Sequence, residues 1–214
     1  MNSVSAAHGK RVLDHLAETI HANAAYLSQL DGAAGDGDHG INMDKGFSKA
    51  RERTAEGALL SEALRTLGST LLGEIGGAMG PLYGSFFLEM ASACADKREI
   101  DAATFRAMLE AALAAVQDLG SAKVGDKTLL DTLVPAVEAY RAAQESGAPF
   151  ADCLAQMRAA AERGKDSTRD LVAKIGRASR LGERSRGHLD AGATSCFFIL
   201  SAFAELFSQL LQES

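Results

Sequence analysis

Asp31, Asp36 and Asp38 fall within eight residues, among Gly32, Gly35, Gly37 and Gly40. Carboxylates brought together at close range repel one another or take up protons unless a cation sits between them. The oxygens are hard donors and no cysteine is near, which favours Mg²⁺ over zinc. The spacing also lacks the acidic twelfth position of a calcium loop. Two Mg²⁺ ions would bring four positive charges against the three negative ones of the aspartates, so a polyanion such as a nucleotide phosphate would complete the site. Residues His39 to Asn42 then open a helix, whose free amides and dipole would face the same anion. The alternative on these residues alone is an Asp/Gly-rich turn with solvated charges.

Three further loops hold residues of chemical interest. Leu72 to Gly84 packs five glycines into a mostly apolar run, which suits close approach of a flat ligand or a phosphate but equally suits tight helix packing. No strand precedes it and no Gly-Lys-Ser/Thr ends it, so neither the dinucleotide fingerprint nor the P-loop applies. In Gly125-Asp126-Lys127-Thr128, Asp126 reads as an N-cap and Lys127 as a charge directed toward phosphate. Gly176 to Gly192 carries four arginines, His188 and Asp190, either as a lid or as an exposed charged loop. Arginine suits phosphate because its planar fork makes two bonds at once.

These loops need a scaffold, and the rest of the chain reads as helix. Three prolines, no Trp and no alternation of apolar and polar residues over a strand length argue for an all-α fold. Leu13, Leu16, Ile20, Leu27 and Leu30 lie on one face of a first helix expected over 4–30. Further helices are expected over 41–55, 59–74, 80–96, 101–119, 127–145, 149–163, 166–176 and 192–211, with Asp101 as an N-cap. Apolar residues cover most of the circumference of the last, which places it centrally.

The bulk numbers set the outer bounds. With 214 residues, 47% of them hydrophobic, one core and a single domain over 1–214 are expected. The net charge of -6 and the lack of a basic stripe argue against nucleic acid. No basic-then-apolar leader and no uninterrupted apolar run of roughly 20 residues is present, so no membrane is expected and the location expected is cytoplasmic. Cys94, Cys153 and Cys196 are far apart in apolar surroundings and read as buried thiols.

Taken together, Gly35-Asp36-Gly37-Asp38-His39-Gly40-Ile41-Asn42-Met43, the run Gly76 to Gly84, Gly125 to Thr128, and Gly176 to Ser179 continuing through Gly187-His188, Asp190 and Gly192 resemble the L subunit of dihydroxyacetone kinases. The resemblance implies a closed barrel of about eight antiparallel amphipathic helices with the nucleotide held among loops at one end. It implies that Asp31, Asp36 and Asp38 hold two Mg²⁺ ions. His39, Gly40, Ile41, Asn42, Ala78, Met79, Gly120, Leu129, Arg177, Asp190, Ala191 and Gly192 would surround the ADP or ATP. Met79 stands where family members often have Ser, and Ala191 where they often have Pro. The resemblance further implies a phosphotransferase subunit that is inactive on sugar without a K-type sugar-binding partner. The donor is then free ATP or a phosphohistidine carrier of the sugar phosphotransferase system. No catalytic residue beyond the metal ligands is expected on this chain. A different class of function, a nucleotide-sensing module that regulates a protein partner, would use the same pocket without turnover.

Overall fold

The computed structural model describes residues 2–213. Among these, eight α-helices make up almost all of the regular structure: α1 (Gly9–Gly32), α2 (His39–Arg53), α3 (Leu60–Glu74), α4 (Met79–Ala93), α5 (Ala102–Asp118), α6 (Leu130–Glu145), α7 (Phe150–Ser167) and α8 (Ala191–Glu213). Each packs on the next, and α8 returns to α1, so the contacts run round a closed circuit. Side chains from both halves fill its middle. Phe105 of α5, Tyr140 of α6, Phe150 of α7 and Phe203 and Phe207 of α8 meet edge-on or tilted, with centroids 5.1–6.4 Å apart. Such contacts add to the large apolar area each ring buries.

Helix α8 is long and apolar enough to cross a membrane, but that apolar character is spent inside the protein. Most of the helix is buried, packed on α1, α6 and α7. The three cysteines are free and buried, as their surroundings suggest.

Two expected helices differ from what forms. The first begins at Gly9 rather than Val4, because Ser3–Ser5 forms strand β1, antiparallel to β2 (Glu99–Asp101) with Val4 opposite Ile100. Both of these apolar residues are buried in the core, and β2 lies in the α4–α5 connection. The helix expected over 166–176 is replaced by the end of α7, a 3-10 turn over Thr168–Asp170 and irregular chain. Its amides find partners far away in sequence: Ala173 N–H donates to Ser185 Oγ (2.9 Å) and Lys174 N–H to the Asp126 carbonyl (3.2 Å). Tertiary hydrogen bonds here override local helical spacing. Asp101 does cap α5, accepting from Thr104 N–H at 2.7 Å.

Close approach of α6 and α7 depends on a proline and a glycine together. Pro135 has no N–H to give the Asp131 carbonyl one turn earlier. Gly164 of α7 lies against that carbonyl, where a Cβ would come within 2.2 Å.

Candidate functional site

The four loops singled out in the sequence meet at one end of the helical circuit, around a cavity of about 790 Å³. That volume is in the range of small-molecule sites. Its wall is largely apolar, with Leu30, Leu82, Val116, Leu119 and Leu129 among the lining residues, and its polar groups come from the loops.

The aspartate loop forms one rim. One carboxylate oxygen from each of Asp31, Asp36 and Asp38 lies within 4.8 Å of the others. Asp31 ends α1, and the chain folds straight back over it, with Ala34 and Gly35 N–H both donating to the Asp31 carbonyl (2.9 and 2.5 Å). A Cβ at Gly35 would lie 2.5 Å from Asp31 Oδ1, and Gly37 has a φ of +77°, so the turn depends on both glycines. Across the cavity mouth, Arg177 forms an ion pair with Asp36.

His39 lines the cavity and also reaches inward. Its Nε2 lies 2.9 Å from Ser195 Oγ, which is 2.7 Å from the Tyr83 hydroxyl, and both hydroxyl oxygens lie 3.1 Å from the Gly192 carbonyl oxygen. Burial lowers the His39 pKa, while the charge on Asp31 pulls it back up; burial also pushes the Tyr83 phenol far above its usual value. The network therefore joins α2, α4 and α8 through neutral groups. Sequence spacing marks neither Tyr83 nor Ser195 as a site residue. A signal existed for Ser195, as one of the few hydroxyls in an otherwise apolar helix.

Asp190 sits at the start of α8, where its carboxylate accepts from Ala193 N–H at 2.7 Å. Burial, reinforced by the charge of Asp131, raises its pKa to about 6. Met79 and Ala191 open α4 and α8 at the cavity wall, both nearly buried. Asn42, Ala78, Gly120, Leu129 and Gly192 also line the cavity.

Gly40 and Ile41 do not line it. Gly40 is buried where α2 crosses α1: a Cβ there would lie 1.9 Å from the Ala24 carbonyl. Ile41 points outward and is 64% exposed. Both lie in the first turn of α2, so their backbone amides lack intrahelical acceptors.

The Gly125 to Thr128 loop corrects two roles expected for it. Asp126 does not cap the following helix; it accepts from Lys123 N–H (3.0 Å) and pairs with Lys174 (3.3 Å), and the first of these bonds lowers its pKa. Asp131 instead holds the loop, accepting from Gly125 N–H at 2.6 Å and Thr128 N–H at 2.7 Å. Lys127 is not free to reach a phosphate. It is buried, and its ammonium donates to the carbonyls of Leu171 (3.2 Å), Ser185 (2.5 Å) and His188 (2.7 Å).

An all-helical chain whose loops gather three aspartates, arginine and histidine at one cavity defines a class of candidate phosphate-binding proteins. The DAK2 domain family model matches residues 33–205, and this chain belongs to that family. It is 38% identical over 198 residues to the ADP-binding subunit of PEP-dependent dihydroxyacetone kinase 2 of Listeria innocua, covering 91% of each chain. It is also 38% identical over 192 residues to the ADP-binding subunit of the PTS-dependent dihydroxyacetone kinase of Lactococcus lactis, covering 88% of this chain and 91% of that one. Among solved structures, the dihydroxyacetone kinase from C. freundii in complex with AMP-PNP and Mg²⁺ matches with a TM-score of 0.70 at 22% identity. That match covers 96% of this chain and 35% of the longer one, and it establishes a shared fold.

Proposed function

We propose that this chain is the nucleotide- and magnesium-binding subunit of a dihydroxyacetone or related small-ketose kinase. It would work in the cytoplasm with a separate K-type subunit that holds the sugar. The observation that carries this reading is the convergence of Asp31, Asp36 and Asp38 at the mouth of a largely apolar cavity. Support comes from relatives of similar length that are ADP-binding subunits.

The residues present fit the ion. All three donors are hard carboxylate oxygens, and the cluster already draws the Arg177 guanidinium as a counter-charge. Asp31, Asp36 and Asp38 would hold two Mg²⁺ ions, which supply charge neutralisation for a phosphate chain. The apolar wall suits a purine. Arg177 and the first-turn amides of α2 and α4 suit the phosphates, and the neutral His39 anchors the first turn of α2 beside them. The chain then positions and neutralises the transferred phosphoryl group, and the sugar hydroxyl must come from the partner. Two exposed apolar side chains, Leu119 and Ile175, lie at the cavity itself, as a seat for such a partner would require.

Native mass spectrometry of the purified chain, with identification of any nucleotide released on denaturation, tests the first half of this reading. One ADP and two Mg²⁺ per chain is the expected result and favours donation by a phosphohistidine carrier. Transient ATP binding would point to exchange of free nucleotide, and no nucleotide binding would overturn the proposal. Addition of a K-type subunit and a ketose tests the second half: phosphoryl transfer is expected, and nucleotide binding without turnover would identify a nucleotide-sensing module instead.

A further inference from the structure

Lys127 is the one buried lysine or arginine among the described residues. It is buried at 3% relative exposure and is the one non-glycine residue with positive φ (+64°) among the described residues. L side chains rarely adopt that conformation, and a residue held there is held by its surroundings. Its ammonium has three protons, and three carbonyls take them: Leu171, Ser185 and His188. An ammonium is suited to this task because its charge is compact and its three donors fan out from one atom, unlike the flat fork of arginine.

The positions of those carbonyls give the arrangement its meaning. Leu171 enters, and Ser185 and His188 leave, a segment of irregular chain and a kinked 3-10 stretch (Arg177–Ser185), which contributes Ile175, Gly176, Arg177 and Ala178 to the cavity wall. Between the two ends the segment is largely exposed, and Gly176 and Gly182 take positive φ with no neighbour within 4 Å of an added Cβ. Its middle is held by short local bonds, such as Ser179 Oγ to the Gly176 carbonyl (2.7 Å), and by the Arg177–Asp36 ion pair. The ends are tied, and Lys127 ties both to the start of α6; further ties run from Gly187 N–H to the Arg169 carbonyl (2.8 Å), from Ala173 N–H to Ser185 Oγ (2.9 Å) and from Arg186 to the Asp170 carbonyl (2.6 Å).

We propose that Lys127 is a positioning residue whose ammonium clips the two ends of the 171–188 segment together and so presents Arg177 to the cavity. Its relevance to nucleotide rests on the function proposed above; the clip itself does not.

Lys127→Gly removes the ammonium while keeping a residue at ease at φ +64°. In the ligand-free full chain, Arg177, Arg180, Arg184 and Arg186 are tryptic sites inside the segment. Cleavage at these sites, mapped by mass spectrometry, should speed up by about tenfold or more, as loss of a buried charge-assisted hydrogen bond shifts a local opening equilibrium. Affinity for ADP with Mg²⁺ should fall by about the same factor, because the bound arrangement of Arg177 is populated less often. n-Butylammonium should restore both, and tetramethylammonium, which has no N–H, should restore neither. Cleavage at the wild-type rate, or equal rescue by the two ions, overturns the clip. Faster cleavage with unchanged ADP affinity overturns its role in presenting Arg177. A wild-type chain that binds no nucleotide sinks the proposed function and leaves the cleavage test standing. Should Lys127→Gly not fold, ¹⁵N NMR of the wild type decides: slowly exchanging Lys127 ammonium protons support the clip, and exchange as fast as at surface lysines refutes it.

Discussion

Two charged regions border the same cavity and treat their charges in opposite ways. In the aspartate loop, Asp36 and Asp38 are exposed, and the cluster draws one counter-charge, Arg177, across the mouth. The region around Lys127 and Asp131 spends its charges on the backbone: Lys127 on three carbonyls, Asp131 on two amides and Asp190 on the first turn of α8. Charge that is satisfied internally fixes shape, and charge left over is what a ligand can use. The shape of the aspartate loop comes instead from glycine, at Gly35, Gly37 and Gly40.

The difference predicts that the two regions fail differently when altered. Asp131→Ala should cause the largest loss of stability, roughly 3 kcal/mol in urea unfolding, since it orphans two partly buried amides that donate to an ion. A loss under about 1 kcal/mol would mean that water replaces the carboxylate and the charge does not hold the loop.

Asp36→Asn combined with Asp38→Asn should do the reverse. Affinity for ADP with Mg²⁺, read by calorimetry, should fall by about a hundredfold, roughly 2.7 kcal/mol, with thermal stability preserved. Unchanged affinity would make the aspartate loop a solvated turn.

The smallest effect concerns Asp190, at the start of α8. Its folded-state pKa of about 6 is raised above the unfolded value near 4, so the folded protein binds this proton more tightly. The stability it contributes is present at acid pH and fades as pH rises through about 6. Asp190→Asn keeps a capping side chain and removes the titration. Melting temperatures of the two proteins, compared from pH 4.5 to 7, should therefore move in favour of the variant as pH rises. A pH-independent difference would show that Asp190 is ionised throughout.

Most of the fold was legible because helices announce themselves by local spacing. The face of α1 with Leu13, Leu16 and Ile20 is buried as its periodicity demands, and Asp101 caps α5. The misreadings share one cause. Local spacing puts Val4 in a helix because its partner, Ile100, lies 96 residues away, and it makes 166–176 look helical because nothing local shows that Ala173 and Lys174 bond to Ser185 and Asp126.

The chemistry divides in the same way. Residue types alone mark out what could hold a cation and a phosphate: three aspartates among glycines, and arginines in a later loop, make a pattern whose meaning is electrostatic and local. Which charges remain available depends on packing. It brought Arg177 to Asp36 across 141 positions of chain, turned Gly40 into a contact between helices, and enlisted Tyr83 and Ser195 to hold His39. It also closed three distant carbonyls on Lys127. The reason is physical: a charged side chain shows its type in the sequence, but whether it binds a ligand or holds the fold depends on the groups that reach it first, and those come from elsewhere in the chain.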